Sequence, residues 1–143
     1  MSKKILISLM MIFGLSAVAL AQKVYTPTKG STERTAILNA LRVPVEKELK
    51  QKIQFTTNIF NSNGTWAFIG GEPQSESGGK PNYKGTEYED SIGADNADNN
   101  IYALLKKTKG KWTVVKYLIG CSDACYEGWW TEYKAPKSVF KGI

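Results

Sequence analysis

Apolar side chains recur every four residues between positions 31 and 49. This spacing places them on one face of an α-helix, and Ser31 or Thr32 can accept hydrogen bonds from its first free N–H groups. Pro44 interrupts the segment, yet the spacing continues in phase on both sides, which predicts one bent helix. The apolar face consists of Ile37, Leu41, Val45 and Leu49.

Four further segments alternate between apolar and polar residues, as strands with one buried face do. They are residues 51–60, 65–72, 101–107 and 111–120. Asn63-Gly64 separates the first two and is a strong hairpin signal, while Lys109-Gly110 separates the last two. The alternation predicts two β-hairpins. It also assigns strand faces, which group Ile53, Phe55, Thr57 and Ile59 in the first strand and Trp112, Val114, Lys116 and Leu118 in the last.

Together these segments predict an α+β fold. A four-stranded antiparallel sheet packs on one N-terminal amphipathic helix, because the apolar face of each can be buried only against the other. A short helix is predicted near the C-terminus, beginning at Ser122 or Asp123 and ending before Pro136.

The long segment between the hairpins, residues 72–99, is rich in Gly, Ser, Pro and Asn, and its sizeable apolar residues are Tyr83, Tyr88 and Ile92. Such a long loop is uncommon in a compact domain and is often functional or mobile. Its carboxylates are oxygen ligands of the kind that Ca²⁺ prefers. They do not follow the calcium-loop spacing, so we predict a solvated loop and no metal. These acids are Glu87, Glu89, Asp90, Asp95 and Asp98.

The first 21 residues have the three parts of a secretory signal peptide: Lys3 and Lys4, an apolar run, and small residues at Ala19 and Ala21. The alternative is a membrane anchor, but the uncharged run is short for a span of about 20 residues. We therefore predict export to the periplasm or beyond, with cleavage before Gln22. A loose N-terminal arm over residues 22–30 and a single domain over residues 31–143 follow, and no later segment is apolar enough to span a membrane.

The charge and composition exclude several functions. The chain has 19 basic and 13 acidic residues, a net charge of +6, and lacks histidine. Without the two lysines of the leader, 17 basic and 13 acidic residues leave +4. The absence of histidine removes the commonest general base, the usual zinc ligand and every Ser-His or Cys-His nucleophile. The basic cluster at residues 106–111 lacks the interleaved aromatic rings of nucleic-acid sites, so nucleic acid is not a predicted partner.

Cys121 and Cys125 are the only cysteines. An exported chain meets an oxidising compartment, which favours a disulfide between them. An offset of four on a helix places the two Cα atoms about 6 Å apart, within bridging range. A redox role is the alternative, but the spacing is C-x-x-x-C and not the C-x-x-C of thiol oxidoreductases.

The C-terminal stretch IGCSDACYEGWWTEY carries the main candidate site residues. Its aromatic rings can form a platform for a sugar, a peptide or a partner protein, or they can fill the core. Asp123 and Glu127 lie one helical turn apart. They can share acid and base roles in hydrolysis, with Tyr88 or Tyr117 assisting, or simply favour the positive end of the helix. The rings are Tyr126, Trp129, Trp130 and Tyr133.

The order of elements between Ser31 and Gly120 resembles the cystatin-like or NTF2-like arrangement, a helix cradled by an antiparallel meander. The strings ERTAILNALRVPVEKEL, TTNIFNSNGTWAFIGGEP and YALLKKTKGKWTVVKYLIGCSD are also similar to small exported bacterial proteins of unknown function. This resemblance implies a location in the cell envelope and no particular activity.

These observations favour an exported, non-enzymatic binding module for a small ligand or an envelope protein, without a cofactor. Two alternatives remain open. One is a carboxylate-dependent hydrolase, and the other is an assembly or stability factor of the envelope.

Overall fold

A computed structural model describes residues 22–142 of the chain. The predicted signal peptide over residues 1–21 lies outside the described residues. No helix within residues 22–142 combines the length and apolar character needed to cross a bilayer. The helices and strands are α1 (Thr32–Leu49), β1 (Ile53–Ser62), β2 (Trp66–Ser75), β3 (Ile101–Thr108), β4 (Lys111–Ile119) and α2 (Trp129–Glu132), with a π-helical turn at Glu89–Gly93 and a 3₁₀ turn at Lys137–Phe140.

Helix α1 begins and continues as its sequence indicates. The Ser31 hydroxyl accepts a hydrogen bond from the backbone N–H of Arg34 at 3.2 Å and so caps the helix. The helix runs through Pro44 without a break and stops before Lys50, whose left-handed backbone (φ 55°) ends it. The four predicted apolar residues are its buried residues, so the predicted single amphipathic helix is confirmed.

The strands form one antiparallel sheet in the order β1-β2-β3-β4. At the first turn the Asn63 side-chain oxygen accepts hydrogen bonds from the N–H groups of Thr65 (3.0 Å) and Trp66 (2.8 Å). At the second turn Lys109 and Gly110 both have positive φ, 51° and 77°, which matches the twist of the flanking strands. Both predicted hairpins and the α+β class are confirmed.

A β-bulge in β1 changes the faces that alternation predicts. The register shifts between Thr57 and Ile59, so Asn58 is an extra residue on this strand. Beyond the bulge Phe60, and not Ile59, shares a face with Ile53. The predicted grouping of Ile53 with Ile59 is therefore wrong.

A second bulge, in β4, has the same effect. Leu105 pairs with Val114 and Leu104 with Lys116, which leaves Val115 as the extra residue. As a result Tyr117 joins Trp112 and Val114 on one face, while Leu118 lies on the other. The predicted grouping of Trp112 with Leu118 is wrong, because strict alternation ends at the bulge.

The paired glycines of β2 permit the close approach of the bulged strand β1. A Cβ on Gly71 would lie 2.0 Å from the carbonyl oxygen of Thr56, and one on Gly70 would lie 3.0 Å from the ring of Tyr102. At position 71, where the clash would be with backbone, only glycine fits.

Two buried clusters hold the fold together. The first contains the apolar residues of α1, parts of all four strands, and Tyr83 and Ile92 from the loop. The second contains Phe68 and Leu104 with residues from the end of the chain. The buried members of the second cluster are Trp66, Phe68, Leu104, Trp129, Ala135, Val139 and Phe140.

The loop between the hairpins is shorter than predicted, and buried side chains hold it to the core. Strand β2 continues to Ser75, three residues past the predicted end. Tyr83 and Ile92 are buried, with 2% and 1% of their surface exposed, and Ile92 lies in the short turn at Glu89–Gly93. Tyr88 packs against the first cluster. The three apolar residues singled out in the sequence are therefore the anchors of the loop.

The N-terminal arm is also tied down. Tyr25 and Ser62 exchange two backbone hydrogen bonds of 2.8 Å. The Tyr25 hydroxyl donates to the Glu33 carboxylate. The expectation of a loose arm is wrong, because the arm extends the unpaired edge of β1.

Candidate functional site

The end of the chain, residues 121–141, is called here the C-terminal segment. Its helix α2 begins at Trp129, later than predicted, because Gly128 adopts a left-handed conformation (φ 85°). Asp123 therefore caps no helix. Its carboxylate accepts a hydrogen bond from the neighbouring N–H of Ala124 at 2.8 Å.

The predicted disulfide is present between Cys121 and Cys125, with the Cα atoms 6.1 Å apart. A series of turns, rather than the expected helix, brings the two residues to this distance. Asn100 fixes the start of the segment, since its side-chain oxygen accepts from the N–H of Cys121 at 2.7 Å and its amide donates to the Cys121 carbonyl at 2.6 Å.

Aromatic packing fixes the rest of the segment to the sheet. The buried ring of Phe68 lies 5.5 Å from Tyr126, 6.5 Å from Trp129 and 4.6 Å from Phe140, measured between ring centroids. The side-chain amide of Asn61 donates to the backbone carbonyls of Val139 and Lys141, both at 2.8 Å. The segment is thus held at both ends and in the middle.

The four aromatic site residues have different environments. Trp129 is 3% exposed and fills the second cluster. Tyr126, Trp130 and Tyr133 are partly buried. The Trp130 ring meets Phe140 edge-on, with 5.4 Å between centroids.

An open groove of about 650 Å³ lies along the C-terminal segment and is called here the aromatic groove. Neither Trp129 nor Tyr133 lines it. The Lys137 ammonium lies 5.0 Å from the centroid of the Trp130 ring, a cation–π contact that places a charge beside an aromatic surface. The lining residues are Ala124, Tyr126, Glu127, Trp130, Lys137, Ser138, Phe140 and Lys141.

The structure does not bring the predicted acidic pair together with the predicted tyrosines. Asp123 and Glu127 are exposed. Tyr88 and Tyr117 pack against the first cluster and not the second. Within residues 22–142 no group of three or more His, Cys, Asp or Glu residues is placed to hold a metal ion.

Tyr88 and Tyr117 instead meet at a residue that the sequence analysis missed. Both phenols donate hydrogen bonds to the carboxylate of Glu48, near the end of α1. Its two partners come from a distant loop and from a bulged strand. The local sequence pattern around Glu48 does not indicate that these elements meet there. The contact ties the loop, the helix and the sheet at one point.

Burial raises the pKa of Tyr83 to about 12. Burial and, after it, the hydrogen bond to Glu48 raise the pKa of Tyr88 and the pKa of Tyr117 above the ordinary value of 10. A phenol whose pKa is raised by folding stabilises the fold below pH 10, and this contribution is lost as the pH rises further, because the unfolded chain releases its proton first.

We therefore expect the free energy of unfolding to fall above about pH 10. Urea unfolding followed by circular dichroism from pH 8 to 11.5 measures this change. The double variant Tyr88→Phe/Tyr117→Phe should lose less stability across this pH range than the unmodified protein. An equal loss in both proteins would show that these phenols do not carry the effect.

Comparison with protein-family models, with curated proteins and with solved structures found no match. The resemblance to cystatin-like or NTF2-like folds therefore stays a prediction, and only the residues of the aromatic groove themselves indicate what it binds.

Proposed function

We propose that this chain is an exported, non-enzymatic binding module whose aromatic groove takes a small ring-shaped ligand. The observation that supports the proposal most is the groove itself. Its volume of about 650 Å³ lies within the range of about 300–1,000 Å³ that is usual for small-molecule sites. Three partly or fully buried aromatic residues, Tyr126, Trp130 and Phe140, form its apolar part.

The polar residues of the groove favour a ligand with one apolar face and a polar edge, such as a sugar. Aromatic rings offer apolar area to the face of a sugar at little entropic cost. Glu127, Lys137 and Ser138 can accept and donate hydrogen bonds at the edge.

Contacts with the sheet hold the residues that line the groove in place, which is expected of a binding site. Phe68 holds Tyr126 and Phe140 from below, and Asn61 holds the backbone of the segment. The disulfide closes the turn that carries Ala124. A site held in this way loses little conformational entropy when a ligand binds.

We also infer that α1 packs across the sheet face opposite the C-terminal segment. Its buried residues share a cluster with Ala67, Ile69 and Ala103, and the Arg42 side chain donates to the Ile53 carbonyl at 3.0 Å.

Export is supported by the disulfide, since such bonds persist in oxidising compartments.

The matched variants Trp130→Ala and Tyr133→Ala test the proposal. Both rings belong to the second cluster, but only Trp130 lines the groove. A panel of mono- and oligosaccharides and small aromatic compounds is screened by ligand-observed NMR, and affinities are measured by calorimetry. We expect Trp130→Ala to weaken binding at least tenfold, about 1.4 kcal/mol or more, and Tyr133→Ala to weaken it less than threefold.

Equal losses in the two variants, or no hit in the panel, would contradict the proposed site. Turnover of a bound glycoside that is lost in Asp123→Asn would favour the hydrolase alternative instead.

A further inference from the structure

A second cavity, called here the basic cleft, lies between the N-terminal arm, the first turn of α1 and the edge strand β1. It has a volume of about 390 Å³. Lys29, Arg34 and Lys141 line it together with polar residues that include Thr57 and Asn58. Lys141 also borders the aromatic groove.

Arg34 is held in a fixed orientation in this cleft. One terminal nitrogen donates to the carbonyl of Pro27 at 3.1 Å and the other to the hydroxyl of Thr57 at 2.8 Å. The guanidinium carbon lies 4.3 Å from the centroid of the Phe60 ring. A guanidinium has five N–H donors in a planar fork, so donors remain for a ligand.

Within the described residues 22–142, none of the three cations of the cleft forms an ion pair with an acidic side chain. The ion pairs found there join Lys52 to Glu46 and Lys80 to Asp95, and none of these four residues lines the cleft. No acidic residue is among those that line the cleft.

In the described part of the chain, Glu33, the sequence neighbour of Arg34, does not form an ion pair with it either. The Glu33 carboxylate accepts hydrogen bonds from the hydroxyls of Tyr25 and Ser62. Arg34 is partly buried, and a partly buried cation without an ion-pair partner carries a desolvation cost that a bound anion would offset.

We propose that the basic cleft is an oxyanion-binding site for the phosphate, sulfate or carboxylate group of a small ligand. Arg34 is the fixed anchor, because its planar fork matches two oxygens of such a group. Lys29 and Lys141 add charge from either side, and the bulged Asn58 offers a side-chain amide. This site does not depend on the aromatic groove binding a ligand.

Titration of the ¹⁵N-labelled protein with inorganic phosphate, sulfate or acetate tests the proposal, with sodium chloride replacing each salt at constant ionic strength. We expect at least one oxyanion to cause saturable shifts of the Arg34 Nε–H and the Asn58 amide signals. The salt that binds most tightly identifies the group. Shifts that stay linear for all three anions, as we expect for chloride, would overturn the proposal.

Two variants separate a local site from general attraction by a basic protein. Lys29→Gln/Lys141→Gln should raise the dissociation constant about tenfold, and the control Lys107→Gln/Lys109→Gln, which removes the same charge at the distant hairpin turn, less than twofold. Equal losses in the two variants would overturn the proposal. Arg34→Gln should abolish saturation, and if it fails to fold, the lysine variants still decide the outcome.

Discussion

Replacing Phe68 by alanine should destabilise the protein by about 3–5 kcal/mol, the usual cost of removing a buried phenylalanine side chain. Phe68 has no exposed surface, and its ring contacts Tyr126, Trp129 and Phe140 of the C-terminal segment. The variant should therefore release the segment as well as weaken the sheet, and the aromatic groove should be lost with it.

Urea unfolding gives the change in global stability, and native-state hydrogen exchange shows where it acts. Phe60→Ala is the matched control, because Phe60 is 4% exposed but belongs to the first cluster. In Phe68→Ala, the amides of residues 129–140 should lose more protection than those of α1. In Phe60→Ala the order should be reversed. The same order in both variants would contradict the division into two clusters.

Replacing Glu48 by alanine should destabilise the protein by about 2–4 kcal/mol, because hydrogen bonds to a charged group contribute about 1.5–3 kcal/mol each and water replaces part of that loss. The change leaves the phenols of Tyr88 and Tyr117 without their shared acceptor. Since Tyr88 lies in the loop, the variant should speed up amide exchange more at residues 83–93 than in β2, each compared with the unmodified protein.

Lys47→Ala is the control for this variant. Lys47 precedes Glu48 on the same helix and is exposed, so its loss should change stability by less than about 0.5 kcal/mol. A double-mutant cycle between Glu48→Ala and Tyr88→Phe then isolates the hydrogen bond. A coupling energy near zero, or equal effects of the Lys47 and Glu48 variants, would show that this contact does not hold the loop.

Much of the fold could be predicted because local pattern and tertiary packing agree there. The apolar spacing of α1 survives Pro44, and the Asn63-Gly64 turn specifies the first hairpin. Tyr83, Tyr88 and Ile92 are the sizeable apolar residues of an otherwise polar loop, and all three pack in or against the first cluster, as their residue types favour.

The rest depended on irregular backbone that alternation does not reveal. The bulge at Val115 places Tyr117 on the face where Glu48 lies, and no residue type in YALLKKTKGKWTVVKYLIG marks that position. Gly128 adopts a left-handed conformation, which delays α2 until Trp129, and the apolar pattern of the sequence does not mark this position.

Of the four aromatic residues predicted as a ligand platform, Tyr126 and Trp130 line the aromatic groove, whereas Trp129 is buried and Tyr133 does not line it. That the groove is a ligand site stays a prediction. Lys137 and Phe140 were missed as groove residues, because the hydrogen bonds that hold their 3₁₀ turn come from Asn61, a residue far away in the sequence.

The most direct test of ligand binding at the aromatic groove is a fragment titration followed by ¹H–¹⁵N NMR of the protein. The indole N–H signal of Trp130 and the backbone amides of Tyr126 and Ser138 should shift saturably with a shared dissociation constant, while the indole signal of Trp112, buried in the first cluster, stays in place. Saturable shifts that avoid Trp130, or that reach both indoles equally, would contradict a ligand site in the groove.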